Sequence, residues 1–190
     1  MKQLALVSFV MLAVAGMAMA QTTAPQTSSS FEVKVQATVV PNIAVGGPSN
    51  FQDIGSVAAG DQGSITALIP FRVHANTESV ILSVGATGLY KGGDPTTLDI
   101  IPVDQSKNAI IVTSLAAQKD KPDNSLPWTG GPFLAHGLLG VMTTTGIFEA
   151  GTQGTFSIDF QVQVSWVNTN PELSVGTYTG YVTLFAQINP

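Results

Sequence analysis

Thr155 to Trp166 constrains the fold more than any other stretch of this chain. Phe156, Ile158, Phe160, Val162, Val164 and Trp166 alternate with Ser157, Asp159, Gln161, Gln163 and Ser165. A period of two puts every apolar side chain on one face of an extended strand. Three further stretches repeat the pattern. Ser64 to Ala75 carries Ile65, Ala67 and Ile69, then Phe71, Val73 and Ala75, with Pro70 expected to break or bulge the strand. Ser79 to Ala86 returns with Val80, Leu82, Val84 and Ala86 facing inward, so Asn76 to Glu78 reads as the turn of an antiparallel hairpin. Thr177 to Ile188 closes the chain with Tyr178, Gly180, Val182, Leu184, Ala186 and Ile188 on one face.

Shorter apolar pieces lie between turn clusters. Ile43 to Val45 precedes Gly46-Gly47-Pro48, and Leu98 to Val103, Ala109 to Thr113 and Phe133 to Val141 read as short strands. Gly88 to Thr97 and Lys119 to Gly131 read as loops, the second the longest irregular segment. No heptad, amphipathic helix or fixed-period repeat occurs. About eight short strands joined by turns predict an all-β, immunoglobulin-like antiparallel β-sandwich.

Residues 1–20 read as a signal peptide: Lys2 is the basic start, Leu4 to Val14 the apolar run, and Ala18-Met19-Ala20 the small-residue cleavage site. The apolar run is too short to span a bilayer. Of the seven basic residues Lys2 falls in this leader, so the remainder carries a net charge near −6 against the twelve acids. That balance argues against nucleic-acid and anionic-membrane partners. The chain has no cysteine, so stability outside the cytoplasm must come from core burial or assembly and not from disulfides.

Residues 21–30 are polar, and a further alternating stretch follows them. Phe31, Val33, Val35, Ala37 and Val39 alternate with Glu32, Lys34, Gln36 and Thr38, and Pro41 stops the run. An amphipathic strand on a flexible tether, residues 21–41, therefore precedes the folded domain, residues 42–190. It is either the chain's own first strand or a strand given to another molecule.

Catalytic patterns are missing. The two histidines, His74 on an outward strand face and His136 in a glycine-flanked loop, have no nucleophile motif to serve. Asp94, Asp99 and Asp104 recur every five residues without a calcium-loop pattern. No cofactor is implied, and the chain is not expected to be an enzyme. Trp128 beside Gly130-Gly131 is a candidate glycan contact for a secreted carbohydrate-binding sandwich, and Trp166, which closes a strand, is the other tryptophan such a sandwich would use.

The segment Val33-Lys-Val-Gln-Ala-Thr-Val-Val-Pro41-Asn-Ile43 resembles the N-terminal donor segment of cysteine-free chaperone–usher fimbrial major subunits of the alpha type, class 5. Phe71-Arg-Val-His-Ala-Asn76 with Val80-Ile-Leu-Ser-Val84 is similar to their paired-strand region. The close Gly176-Thr-Tyr-Thr-Gly-Tyr-Val-Thr-Leu184 is similar to the Gly-x-Tyr-x-Gly-x-Val-x-Leu ending of many such pilins. Spore-coat-U-like surface proteins are a related possibility.

The resemblance implies an incomplete sandwich, lacking its final strand and completed by donor-strand exchange with a neighbouring subunit. The expected function is a structural pilin forming a homopolymeric surface fimbria that serves adhesion. Export would run through the periplasm with a chaperone and an outer-membrane usher, without direct membrane insertion. Phe31, Val33, Val35, Ala37 and Val39 would be the donor knobs. Tyr178, Val182, Leu184 and Ala186 would line the acceptor groove, with Phe156 to Val164 as further lining.

Overall fold

The computed structural model describes residues 42–47, 52–56, 63–113, 116–121, 123–151 and 153–189. The chain divides into two units, Met1–Val39 and Val40–Pro190, and every described residue belongs to the second. The leader, the tether and the donor-like segment lie outside the described residues.

Among the described residues every regular element is a strand, and all strand pairs are antiparallel. The first sheet holds, in spatial order, β1 (Ile43–Gly46), β2 (Ser64–Ala75), β12 (Phe156–Val167), β6 (Ala109–Val112) and β8 (Ser125–Leu126). The two long alternating stretches are partners: β12 pairs with β2 from Phe156 opposite Ala75 to Val167 opposite Ser64.

The second sheet is organised on β3 (Ser79–Thr87). One edge of β3 pairs first with β11 (Gly146–Glu149), which carries β7 (Ala117–Gln118). Further along, the same edge pairs with β10 (Leu138–Thr143), which carries β9 (Trp128–Ala135). Between the two ladders the Val84 N–H donates to the Thr143 hydroxyl oxygen at 2.9 Å, so the gap leaves no orphan donor. The other edge of β3 carries β14 (Val182–Ile188).

Several expectations are corrected. β2 and β3 are not a hairpin. Asn76 to Glu78 carries the chain from one sheet to the other, because each strand has a longer partner within its own layer. The single strand expected over Phe133 to Val141 is the β9–β10 hairpin, turning at His136 (φ 50°) and Gly137 (φ 83°), the two positive angles of a tight hairpin turn. The expected loops hold strands as well. β8 and the start of β9 lie within Lys119 to Gly131, and β4 (Leu89–Lys91) lies within Gly88 to Thr97. β4 forms a small third sheet with β5 (Ile100–Ile101) and β13 (Tyr178–Thr179). Last, the closing strand is split at Gly180, where a Cβ would lie 2.6 Å from the Gly88 carbonyl oxygen. Only glycine permits that approach, and the chain leaves the third sheet for the second there.

Pro70 does not break β2; it stays in register opposite Gln161. The Gln52 side-chain amide donates to the Leu68 carbonyl at 2.8 Å, and the Asn76 N–H donates to Asn42. The even-numbered residues of β2 thus turn their backbone groups away from β12. The N–H that proline lacks belongs on that outer edge, where no bond to β12 is lost.

The core fills the space between the two main sheets. Phe148, Phe156, Phe160 and Trp166 are its largest members, with Phe148 edge-on to Phe160 at 6.3 Å between centroids. The Trp166 indole N–H donates to the Thr87 carbonyl at 2.9 Å and ties β12 to β3 across the layers.

Candidate functional site

The two long margins of this sandwich are unlike. On the β8 side the inward residues are sealed: Ala109, Ile111, Leu126 and Phe148 are fully buried. Asn124 closes that side. Its carboxamide oxygen accepts from the Gln118 N–H at 2.7 Å, and its backbone carbonyl accepts from the Ile111 N–H at 3.0 Å.

On the β14 side burial falls off. Every inward residue of β12 from Phe156 to Trp166 is buried, but one strand further out Ile65, Ile69 and Phe71 of β2 are half-buried. On β1, Ile43 is half-buried, and Val45, which pairs with fully buried Val73, is 41% exposed. Facing them, Val182, Ala186 and Ile188 of β14 are also half-buried, and only Leu184 is buried. Inward-facing apolar residues are thus left incompletely covered on both lips of one margin. β1 lies beside β14 there without pairing to it.

The outer edge of β14 likewise has no strand partner among the described residues. The Thr87 N–H donates to the Tyr181 carbonyl, and the Asn189 N–H donates to the Ser79 carbonyl, so the odd-numbered residues direct their backbone groups toward β3. Those of Val182, Leu184, Ala186 and Ile188 point the other way. Among the described residues no strand receives them. Among the described residues the margin therefore presents an unpaired row of N–H and C=O groups beside a half-covered apolar slot.

Val182, Leu184 and Ala186 from the expected groove lie together on this margin. Tyr178 is apart from them: it sits in β13, pairs with Lys91, and donates its hydroxyl to the Ser174 carbonyl at 2.7 Å. Phe156 to Val164 is a correction. β12 is flanked on both edges by β2 and β6 and is buried, so it is the floor of the core and lines no open edge. The opposite lip, Ile43, Val45, Ile65, Ile69 and Phe71, was missed by sequence reasoning. Pro70 was its available signal, because proline within a strand favours an edge.

The remaining candidates are placed as follows. Trp128 begins β9, half-buried, and its indole N–H donates to the Lys107 carbonyl at 2.8 Å. His74 is exposed on the outer face of β2, and His136 stacks on Tyr181 at 4.2 Å. Two of the three evenly spaced aspartates cap turns. The Thr96 backbone N–H, followed by its hydroxyl, holds Asp94 below the usual carboxylate range. The Ser106 hydroxyl, 2.5 Å away, is the main cause of the same lowering at Asp104, which burial opposes. Asp99 accepts from the Ser174 hydroxyl and pairs with Lys91 at 3.6 Å. Among the described residues no three His, Asp or Glu side chains converge as a metal would require, and no helix is long and apolar enough to cross a membrane.

The class these observations define is an all-β protein of antiparallel sheets around one core, with one margin sealed and the other half-covered among the described residues. No protein-family profile, curated protein or solved structure matches the chain.

Proposed function

We propose that the chain is a structural subunit whose incomplete, immunoglobulin-like sandwich is completed by Phe31–Val39 of a second copy, giving a head-to-tail fimbrial polymer at the cell surface. The observation that carries this reading is the margin itself: backbone groups along β14 that no strand receives among the described residues, beside inward side chains left half-covered on both lips. Strand addition uses those two features, main-chain hydrogen bonds for affinity and alternate pockets for specificity. Phe31, Val33, Val35, Ala37 and Val39 supply the matching period of two.

Burying the four large knobs Phe31, Val33, Val35 and Val39 contributes roughly 6–12 kcal/mol gross, at about 1.5–3 kcal/mol each, and ordering the segment offsets part of it. β1 has three of its four residues exposed, so little burial resists its shift by the one strand spacing, about 4.8 Å, that insertion requires. A contact between unlike surfaces that does not close on itself yields filaments. Under this reading the exported subunit meets a periplasmic chaperone and an usher before its neighbours, and adhesion is the expected role of the filament.

The test is Val35→Asp. It places a carboxylate in the slot, where an unpaired buried charge is strongly disfavoured, and SDS-resistant, heat-dissociable ladders are expected to vanish. Ladders at the parental level in this variant would refute the donor role.

A further inference from the structure

The groove has a direction. β14 runs from Tyr181 toward Asn189, and β2 runs from Ser64, at the Tyr181 end, toward Ala75, where Asn42 bonds to Asn76. β1, which pairs antiparallel with β2, runs the other way, but the two longer strands of the margin, β2 and β14, have the same polarity. A strand antiparallel to both starts at the Asn189 end and emerges beside Tyr181. Only Val40 and Pro41 lie between Val39 and Asn42, so three Cα steps, at most about 11 Å, join a donor strand to its own folded domain. That domain has no room to stand away from the end where its strand emerges.

Four large apolar side chains project at this end: Leu98 (94% exposed), Val175 (84%), Leu134 (65%) and Leu139 (64%). Polar ties hold them in place. The Ser174 hydroxyl bonds to Asp99, and Val175 and Leu98 are the residues flanking that bond. Leu134 and Leu139 are cross-strand partners on the β9–β10 hairpin, and the Tyr90 hydroxyl pins Leu139 by bonding both its N–H and its carbonyl at 3.2 Å. The hairpin tip reaches the emergent end, with His136 stacked on Tyr181. Gly137 sits against Pro95, three residues before Leu98.

We propose that this apolar end docks a second copy of the chain, receiving the Asn42 and Asn76–Ser79 end of the subunit whose N-terminal segment fills the groove. The proposal rests on the donor-strand reading and adds to it a rigid joint: the short linker brings the two domains into contact, and the four side chains leave water when they meet.

The absence of native cysteine makes thiol labelling a clean test. Leu98→Cys, Val175→Cys and, as a reference in mid-β2, Leu68→Cys are made singly in the full-length chain and again in the Val35→Asp background, which supplies the unassembled state. Maleimide labelling at Cys introduced at 98 and 175 is expected to slow by roughly tenfold or more on assembly, as for thiols withdrawn from solvent, while the reference at 68 keeps its rate. Ladders that form while positions 98 and 175 label as fast as in the unassembled protein overturn the docking surface and leave the donor strand standing. A parental chain that forms no ladders overturns both.

Discussion

Ala186→Phe tests whether the open margin is empty in the lone subunit and filled in the polymer. Ala186 pairs with Leu82 in the middle of β14, faces inward and is half-buried. In the unassembled protein a ring there extends into the slot toward the half-buried side chains of the opposite lip. It covers apolar surface and meets no strand, so stability is expected to change by less than about 1 kcal/mol. In the polymer the ring takes the space of a donor knob. Overpacking costs about 1–3 kcal/mol and a displaced knob another 1.5–3 kcal/mol. The sum, about 2.5–6 kcal/mol, weakens assembly by a factor between roughly 60 and more than 10,000, since each 1.4 kcal/mol is tenfold. Denaturant unfolding in the Val35→Asp background measures the first quantity, and SDS-resistant ladders of Ala186→Phe alone report the second. Ladders at the parental level would place the donor elsewhere. A loss of more than about 3 kcal/mol in the unassembled protein would mean that the slot is already filled by the chain's own strand, and would refute the incomplete sandwich.

Trp166→Phe removes the indole N–H bond to the Thr87 carbonyl, and is expected to cost about 1–3 kcal/mol. In calorimetry that is a fall in Tm of about 2–4 °C per kcal/mol. Gly140→Ala puts a methyl group 2.0 Å from the Ala86 carbonyl oxygen and 2.5 Å from the Thr87 Cα, backbone atoms with no freedom to yield. β10 must part from β3 at a cost of about 3 kcal/mol, and hydrogen exchange is expected to lose protection at Gly85 to Thr87. At Asp104 the lowered pKa means that folding favours the carboxylate. Its contribution is complete above the ordinary aspartate value of about 3.9 and is lost as pH falls through the lowered folded value. Ser106→Ala removes the main cause, so the Asp104 titration followed by carboxyl NMR and the acid loss of stability both move to higher pH.

The strands that were plainest in the sequence are those whose two faces meet different surroundings. β2 and β12 are buried on one face and wet on the other, so alternation marks them from end to end. β3 is buried on both faces from Leu82 to Thr87, with Phe133 lying over Gly85 on the outer side, and its pairing choice left no trace in its own residues. The false hairpin follows from that: adjacency in sequence was the visible cue, and the long-range partners β14 and β12 were not. One lip of the margin was legible because Val182, Leu184 and Ala186 alternate. The other was not, because Ile65, Ile69 and Phe71 look like any core strand until the partial cover on their outer side is known. The apolar end was invisible for a different reason. Leu98, Val175, Leu134 and Leu139 come from three separate segments, and only folding brings them to one end.

The proline in β2 makes the two lips of the margin unequal templates. A strand arriving beside β14 meets four alternate residues, Val182, Leu184, Ala186 and Ile188, whose backbone groups no strand receives among the described residues. Beside β2 the row is interrupted: Leu68 already has its carbonyl engaged by Gln52, and Pro70 has no proton to offer. Two copies meeting edge to edge through β2 therefore cannot extend a continuous ladder past residue 70, which closes a common route to disordered sheet aggregation. On the proposed reading, a margin kept open for the donor strand is in this way guarded against edge-to-edge pairing by a single missing hydrogen.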